Sequence, residues 1–351
     1  MRILLICFTD KYSNTELHLE KNYLYSLNQN SVYPDKTVLI SGEDSQSFSS
    51  LILENYDTIF IANPKLAKFS VNEILAKNQI GLNENGFYCG EKFVSLICEN
   101  VSDEIEAIMA KMADHYSIYH EKVVFKLFGL ENEKIYAVTD QISQKYPSCF
   151  FHTKTEGLNS KTVLVFDSRA PKVEVDKAIK EFLITFKNNV YAEDDVSIES
   201  QLLNLLKLRR LTISTAESMT GGLIASKIVS VEGASQFFYE GLVTYNTKAK
   251  EERLGVSHSS ITTFSVVSSE VAFEMAKGLL ETGKCNVAIS ITGYASENAE
   301  CVEKSGLCYI GIGVNNAIEV YEYKFNGTRK EVIEQATNAS LFLALKTITN
   351  I

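Results

Sequence analysis

Short apolar runs separated by stretches of helical periodicity constrain the fold of this chain more than any other feature. Near the start they lie at residues 3–8, 37–41 and 58–62. Strands joined through helices pair in parallel, because a parallel pair needs a crossover connection rather than a tight turn. Residues 1–120 are therefore predicted to form an α/β domain.

Two further domains are predicted downstream. Residues 121–192 contain a strand from Lys122, a polar helix through Lys145, two apolar runs and a helix after Pro171, which indicates a small α+β connecting module. An acidic turn at residues 193–195 then precedes an amphipathic helix at 198–208. A chain of 351 residues exceeds one ordinary core, so residues 193–351 are predicted to form a third, α/β domain.

Composition narrows the functional classes. With 45% hydrophobic and 22% charged residues the chain is typical of a globular protein. It shows no basic leader and no long apolar span, so we expect a cytoplasmic protein without a membrane partner. A net charge of -10 without basic runs predicts no nucleic-acid partner. The seven cysteines form no CxxC pair and are predicted to be reduced, with neither disulfides nor a structural zinc site.

Residues 211–228 (LTISTAESMTGGLIASKI) predict a strand, a loop and a helix. The helix start would leave backbone N–H groups free, and Gly221 and Gly222 would let an anionic ligand approach closely. Alternatively, Ser218 or Thr220 simply caps the helix. Glu217 either orients catalytic groups or is a carboxylate favoured by the helix dipole.

The residues available for acid–base chemistry in the last domain are few. No aspartate occurs after residue 195, and His258 is the only histidine there, in a polar loop typical of a surface or capping residue. A serine nucleophile would then need a lysine base, kept neutral by burial. Lys250 is the candidate, with the phenol of Tyr245 as a group that could orient its amine. Alternatively, Lys250 has no catalytic role and is a solvated helix residue in the charged run KAKEER.

Four ordered motifs resemble the competence/damage-inducible CinA family. TAESMTGG at 215–222 resembles TAESCTGG, and GASQFFYEGLVTYNTKAK at 233–250 resembles G-S-S-x-x-F-x-x-G-x-V-T-Y-S-N-x-x-K. FSVVSSEVAFEMAKG at 264–278 resembles G-A-V-S-E-x-V-x-x-E-M-A-x-G, and the segment from residue 325 to 345 resembles F-x-G-D-R-x-x-V-R followed by A-L.

The resemblance implies an amidohydrolase that converts nicotinamide mononucleotide to nicotinate mononucleotide and ammonia in pyridine nucleotide salvage, without metal or cofactor. It implies an acyl-enzyme on serine with lysine as base and acid. Ser218 is favoured narrowly over Ser235 as nucleophile, and a homodimer is expected. The implied catalytic residues are Ser218, Ser235, Tyr245 and Lys250, and the implied substrate-binding residues are Thr220, Gly221, Gly222, Thr292, Gly293 and Arg329, the last for the phosphate.

The chain departs from the family in two places within this domain. Residues 290–306 read SITGYASENAECVEKSG where the family has S-G-I-A-G-P-x-G-G followed by K-P-V-G, so Tyr294 replaces a small residue. A rearranged pocket, a changed specificity and a lost activity all remain open. Met219 stands in place of the cysteine of TAESCTGG, which argues against cysteine chemistry there.

The N-terminal domain resembles a degenerate molybdopterin-binding-like domain. FTDKYSNTE and ANPKLAKFS stand where the family has G-T-E-L-L and G-G-x-G-P-T-x-D-D. Without these glycines and aspartates, phosphate and Mg²⁺ lack their ligands, so the family's ADP-ribose pyrophosphatase activity is predicted to be lost. The domain would then serve assembly or regulation.

Two alternatives to the amidohydrolase stay open. One is a catalytically silent scaffold that binds a nucleotide or a protein partner, which the degenerate first domain favours. The other keeps the serine and the lysine but hydrolyses a different small amide.

Overall fold

A computed structural model describes residues 2–9, 27, 34–83, 88–90, 92–97, 108, 111, 120–296, 305–315 and 317–350. The chain forms two compact units: Met1–Lys122 with Val165–Ala170, and Val123–Leu164 with Pro171–Ile351. Mixed α/β architecture is confirmed for the described residues, while the division into three domains stays a prediction.

The first unit is built on a six-stranded sheet of order β2-β1-β3-β6-β5-β4. Strands β2, β1, β3 and β6 run parallel, as predicted, and β4 and β5 are antiparallel additions. Six of the seven residues of β1 are buried, because both faces of its sheet are covered. The elements are β1 (Ile3–Thr9), β2 (Lys36–Ser41), α1 (Ser45–Leu53), β3 (Thr58–Ala62), α2 (Val71–Lys77), β4 (Gly81–Leu82), β5 (Tyr88–Cys89) and β6 (Phe93–Ile97).

The segment ANPKLAKFS follows β3 as a short 3-10 helix, Pro64–Leu66, and ends at Ser70, whose hydroxyl caps α2. Its Lys68 pairs with Glu43 at 2.6 Å. Most of FTDKYSNTE, from residue 10 onwards, lies outside the described residues. The loss of pyrophosphatase function therefore remains a prediction.

A four-stranded sheet of order β10-β7-β9-β8 follows. The helix Lys172–Thr185 packs on this sheet through aromatic side chains: its Phe182 lies 4.5 Å from Phe125 and 4.9 Å from Phe186 between ring centroids. The predicted strand–helix–strand–strand–helix order is confirmed. The elements are β7 (His120–Phe128), α3 (Asn132–Lys145), β8 (Cys149–Glu156), β9 (Asn159–Asp167), α4 (Lys172–Thr185) and β10 (Val190–Ala192).

The last sheet has the order β12-β11-β13-β14-β15, with β12, β11 and β13 parallel and β14 and β15 antiparallel. Its elements are α5 (Ile198–Arg209), β11 (Ile213–Glu217), α6 (Leu223–Val229), β12 (Phe238–Val243), α7 (Thr247–Leu254), α8 (His258–Phe264), α9 (Ser269–Glu281), β13 (Val287–Gly293), β14 (Leu307–Val314), β15 (Ala317–Lys324) and α10 (Arg329–Thr349).

Helices cover both faces of this last sheet. Ile289 and Ile291 of β13 belong to the core that includes α5 and α10, whereas Ala288 packs with α9. Successive residues of a strand point to opposite faces, so β13 is the buried centre of three layers. Because β11, β12 and β13 are parallel, their carboxyl ends meet at one edge, where ligands bind in open α/β sheets.

Two further predictions can be compared with the described part of the chain. No helix within it is both long and apolar enough to cross a membrane. The described cysteines 7, 89, 149, 285 and 308 are all free thiols, and four of them are buried.

Candidate active site

A cavity of about 510 Å³ opens at the carboxyl ends of β11, β12 and β13. None of the described residues that line it is acidic, whereas two are basic, so the cavity favours an anionic ligand. Of the sequence-predicted site residues, the cavity brings together Ser218, Tyr245, Lys250, Thr292, Gly293 and Arg329.

Ser218 is the first residue after β11 and is only 8% exposed. Its amide N–H donates to the carbonyl of Ile291 in β13 at 3.1 Å, and its carbonyl accepts from the amide of Gly221 at 3.1 Å. Both backbone polar groups of Ser218 are thereby held by hydrogen bonds to neighbouring residues. The hydroxyl is left as the part of Ser218 that can react.

Lys250 is buried on α7, with 1% of its surface exposed. Its Nζ lies 3.0 Å from Ser218 Oγ, 2.6 Å from the carbonyl oxygen of Thr244 and 3.4 Å from that of Tyr245. A neutral amine has two N–H donors and one lone pair. Donation to the two carbonyl oxygens therefore turns the lone pair towards the hydroxyl of Ser218.

Burial also controls the protonation of Lys250. Desolvation lowers the pKa of its amine from 10.5 to about 8. Within the described residues no carboxylate forms an ion pair with Lys250 to oppose this shift. The alternative that Lys250 is a solvated helix residue is thus wrong, and its lowered pKa makes the neutral amine accessible near neutral pH.

Glu217 organises the glycine loop through hydrogen bonds. The Glu217 carboxylate accepts from the amides of Gly222, Ile224 and Ala225 at 2.8 to 3.1 Å and from the Thr220 hydroxyl at 2.7 Å. The start of α6 is therefore already occupied by an internal anion.

This arrangement corrects one expectation. Thr220, Gly221 and Gly222 do not line the cavity, and the helix start does not offer free N–H groups to an anionic ligand. The glycines serve the turn itself, since both have positive φ values of 63° and 101°. Of the two roles considered for Glu217, the helix-start carboxylate is directly observed, and its position one residue before Ser218 is also compatible with the orienting role.

The wall formed by the end of β13 holds Thr292, Gly293 and Tyr294. The Thr292 hydroxyl donates to the carbonyl of Val266 at 2.9 Å. A Cβ on Gly293 would lie 2.5 Å from the Cβ of Cys308 and 2.8 Å from the backbone oxygen of Leu307, so only glycine fits there. Tyr294 is half-buried and lines the cavity, while residues 297–304 of the altered loop lie outside the described residues.

Arg329 is the first residue of α10 and lies exposed at the cavity rim. One guanidinium nitrogen donates to the hydroxyl of Ser296 at 3.1 Å. The remaining N–H groups of its fork can receive an anionic group of a ligand.

The remaining predicted groups take other positions. Ser235 lies exposed on a 3-10 turn, Ala234–Gln236, and the structure does not bring it to Lys250. Tyr245 orients the amine of Lys250 through its backbone carbonyl, while its side chain is 64% exposed, so the expected role of the phenol is wrong. His258 is an exposed residue that pairs with Glu251, as predicted for a surface position.

The strained backbone at Ser265, in the cavity wall that precedes α9, was not predicted from the sequence. Ser265 has φ 80° and ψ 157°, a conformation that is essentially restricted to glycine, directly before the cavity-lining Val266 and Val267. A signal was present, because the family motif G-A-V-S-E has a glycine where this chain has Ser265.

Comparisons with known proteins match the C-terminal part. The profile of the CinA C-terminal domain matches residues 195–348. A putative competence-damage inducible protein of Caldicellulosiruptor saccharolyticus is 41% identical over 162 residues, 46% of this chain and 39% of that protein. One of Clostridium beijerinckii is 35% identical over 222 residues, 62% of this chain and 54% of that protein.

A solved structure from Escherichia coli, of the competence-damaged protein (CinA) superfamily, is 32% identical; the match covers 42% of this chain and 88% of that chain with a TM-score of 0.41. The chain spans about half or less of the length of the two curated relatives that it matches. Their names describe competence or damage inducibility and state no reaction.

Proposed function

The C-terminal domain of the chain belongs to the CinA family, and from this premise we propose that this domain is a nicotinamide-nucleotide amidohydrolase with a Ser218–Lys250 dyad. The proposed reaction converts nicotinamide mononucleotide and water to nicotinate mononucleotide and ammonia. The observation that carries the proposal is the 3.0 Å contact between a buried lysine amine and a buried serine hydroxyl.

In the proposed mechanism the neutral Lys250 takes the proton of Ser218 as Oγ attacks the carboxamide carbon. The lysine then gives this proton to the departing nitrogen, which leaves as ammonia. Water, deprotonated by Lys250 in turn, attacks the resulting ester and regenerates the serine. Both steps use the same amine, whose pKa of about 8 suits it to take and return a proton near neutral pH.

The negative charge that forms on the carbonyl oxygen needs donors. Met219 lines the cavity immediately after Ser218, and its amide donates to no acceptor in the described part of the chain. We assign this amide as a candidate donor to the oxyanion, since the residue after a nucleophile at a strand-to-helix turn commonly has this role.

The rest of the cavity suits an anionic nucleotide. Arg329 is proposed to bind the phosphate, since the alternative anion site at the start of α6 is taken by Glu217. Thr292 and Gly293 would form the wall beside the carboxamide. The exposed ring of Tyr245 is available to stack on the cationic pyridinium.

Several features of this proposal stay predictions: the absence of a metal or cofactor, the absence of nucleic-acid and membrane partners, the cytoplasmic location, the homodimer and the role in salvage. The mechanism uses protein groups only.

The test is ammonia release from nicotinamide mononucleotide by the purified protein, without added metal, beside Ser218→Ala, Ser235→Ala and Lys250→Ala. We expect turnover that is lost in the Ser218 and Lys250 variants and kept in the Ser235 variant. No turnover with retained binding of the nucleotide would favour the silent scaffold. Turnover only of other small amides would favour a changed specificity.

A further inference from the structure

The Glu217 carboxylate is the most densely hydrogen-bonded group beside the dyad. Glu217 is 1% exposed and ends β11, one residue before Ser218. Its Oε2 accepts from Thr220 Oγ1, Gly222 N and Ile224 N, and its Oε1 accepts from Ala225 N and, at 3.3 Å, from Thr215 Oγ1. Within the described residues no Lys or Arg pairs with it.

These bonds connect residues on both sides of the nucleophile to the same carboxylate. The chain leaves β11 at Glu217, passes through Ser218, and returns at Gly222 and Ile224 to the same carboxylate. Ser218 is the residue at which this turn faces the cavity, and Gly221 closes the turn by donating to the carbonyl of Ser218 at 3.1 Å.

The charge of the carboxylate suits this position. Three backbone amides of a helix start aim at it, and charge-assisted bonds from backbone N–H groups are stronger than neutral ones. A neutral amide in its place would present an NH₂ group to donors that need an acceptor. Depending on which oxygen is replaced, either the bond from the Ala225 amide or the two bonds from the Gly222 and Ile224 amides would be lost, whereas a threonine hydroxyl can accept as well as donate.

We propose that Glu217 is a positioning residue for the dyad: its buried carboxylate holds the turn at residues 218–222 so that Ser218 Oγ stays within reach of Lys250 Nζ. It does this through backbone amides and without touching the substrate. The proposal rests on the Ser218–Lys250 dyad of the proposed function but not on the identity of the substrate.

A fluorophosphonate probe tests this role separately from amide hydrolysis. Ser218 Oγ forms a bond to phosphorus, fluoride leaves with its electron pair, and Lys250 takes the hydroxyl proton. We expect labelling of the full chain to be abolished by Ser218→Ala. We expect Glu217→Gln to slow labelling by about 30-fold or more and to remove its inflection near pH 8, which reports the coupling to Lys250.

Two variants keep the test decisive. Ser197→Ala removes the N-cap of α5 and serves as a control that affects helix stability without touching the turn. Its labelling rate should equal that of the wild type. Thr220→Val removes one donor to Glu217 and keeps the carboxylate, and we expect labelling several-fold slower; it replaces Glu217→Gln if that variant does not fold.

The outcomes separate the two proposals. Labelling that is unchanged in Glu217→Gln, or in Thr220→Val if the first variant does not fold, overturns the positioning role even if nicotinamide mononucleotide is hydrolysed. Labelling that depends on Glu217 without hydrolysis of that nucleotide keeps the positioning role and rejects the proposed substrate. A wild-type protein whose Ser218 is not labelled contradicts both.

Discussion

The pH dependence of turnover follows from the burial of Lys250. With a pKa of about 8 the amine is about 9% neutral at pH 7, whereas at the ordinary value of 10.5 it would be about 0.03% neutral. Burial thus raises the concentration of the free base about 300-fold at pH 7, for a shift that corresponds to about 3 kcal/mol. Because the proposed base is the neutral amine, kcat/KM should rise about tenfold from pH 7 to a plateau above pH 9.

The assay is chromatographic separation of nicotinate mononucleotide from its amide between pH 6 and 9.5, because this detection does not depend on pH. Lys250→Met, which retains the length of the side chain and loses the base, is the matched control and should give no product at any pH. A kcat/KM that is constant between pH 6.5 and 9, or that falls as pH rises through 8, would refute the assignment of Lys250 as the base.

Four other predictions concern stability and binding. The Lys250 pKa is lower in the folded than in the unfolded state, so the unfolded state binds more protons between pH 8 and 10.5. In that window the free energy of unfolding of the wild type should rise, relative to that of Lys250→Met, by about 1.4 kcal/mol per pH unit. Urea denaturation measures this difference, and the same pH dependence in both proteins would contradict the prediction. Ser265→Gly should increase the free energy of unfolding by about 1 kcal/mol, measured by thermal melting, because it relieves the strained backbone; a lower Tm would count against the strain. Gly222→Ala should decrease that free energy by about 1–2 kcal/mol, since φ is 101° and the new Cβ would lie 3.3 Å from Val243; unchanged melting would show that the turn adapts. Arg329→Ala should raise KM for nicotinamide mononucleotide about tenfold with little change in kcat, and should leave KM for the riboside without phosphate unchanged.

The strands and helices around the site could be predicted because their signals are local. The helix expected at residues 198–208 is observed as Ile198–Arg209, and the strand, loop and helix expected at residues 211–228 are observed as β11, a turn and α6. Apolar periodicity, a capping serine and a pair of glycines act within a few residues of each other. The family resemblance likewise depended on short motifs that can be compared without knowing their positions in space.

The site itself could be predicted only as a set of candidates. Ser218 and Ser235 both fall at matched serines, and nothing local distinguishes a serine in a buried turn from one on an exposed 3-10 turn. The sequence left two roles possible for Glu217 for a similar reason. Its five donors come from residues before and after it along the chain, and only the folded turn brings them to one carboxylate.

By itself, therefore, the sequence determined the mixed α/β fold, the family of the C-terminal domain and the small group of residues from which a dyad could be drawn. Only the tertiary structure decided that Lys250 is buried within a charged KAKEER helix and that its amine meets Ser218, 32 positions away along the chain. The physical reason is that desolvation and hydrogen-bond geometry depend on which elements pack together. Parallel strands β11 and β12 bring two distant turns to the same edge of a sheet, and that meeting lowers the pKa of a surface-like lysine to about 8.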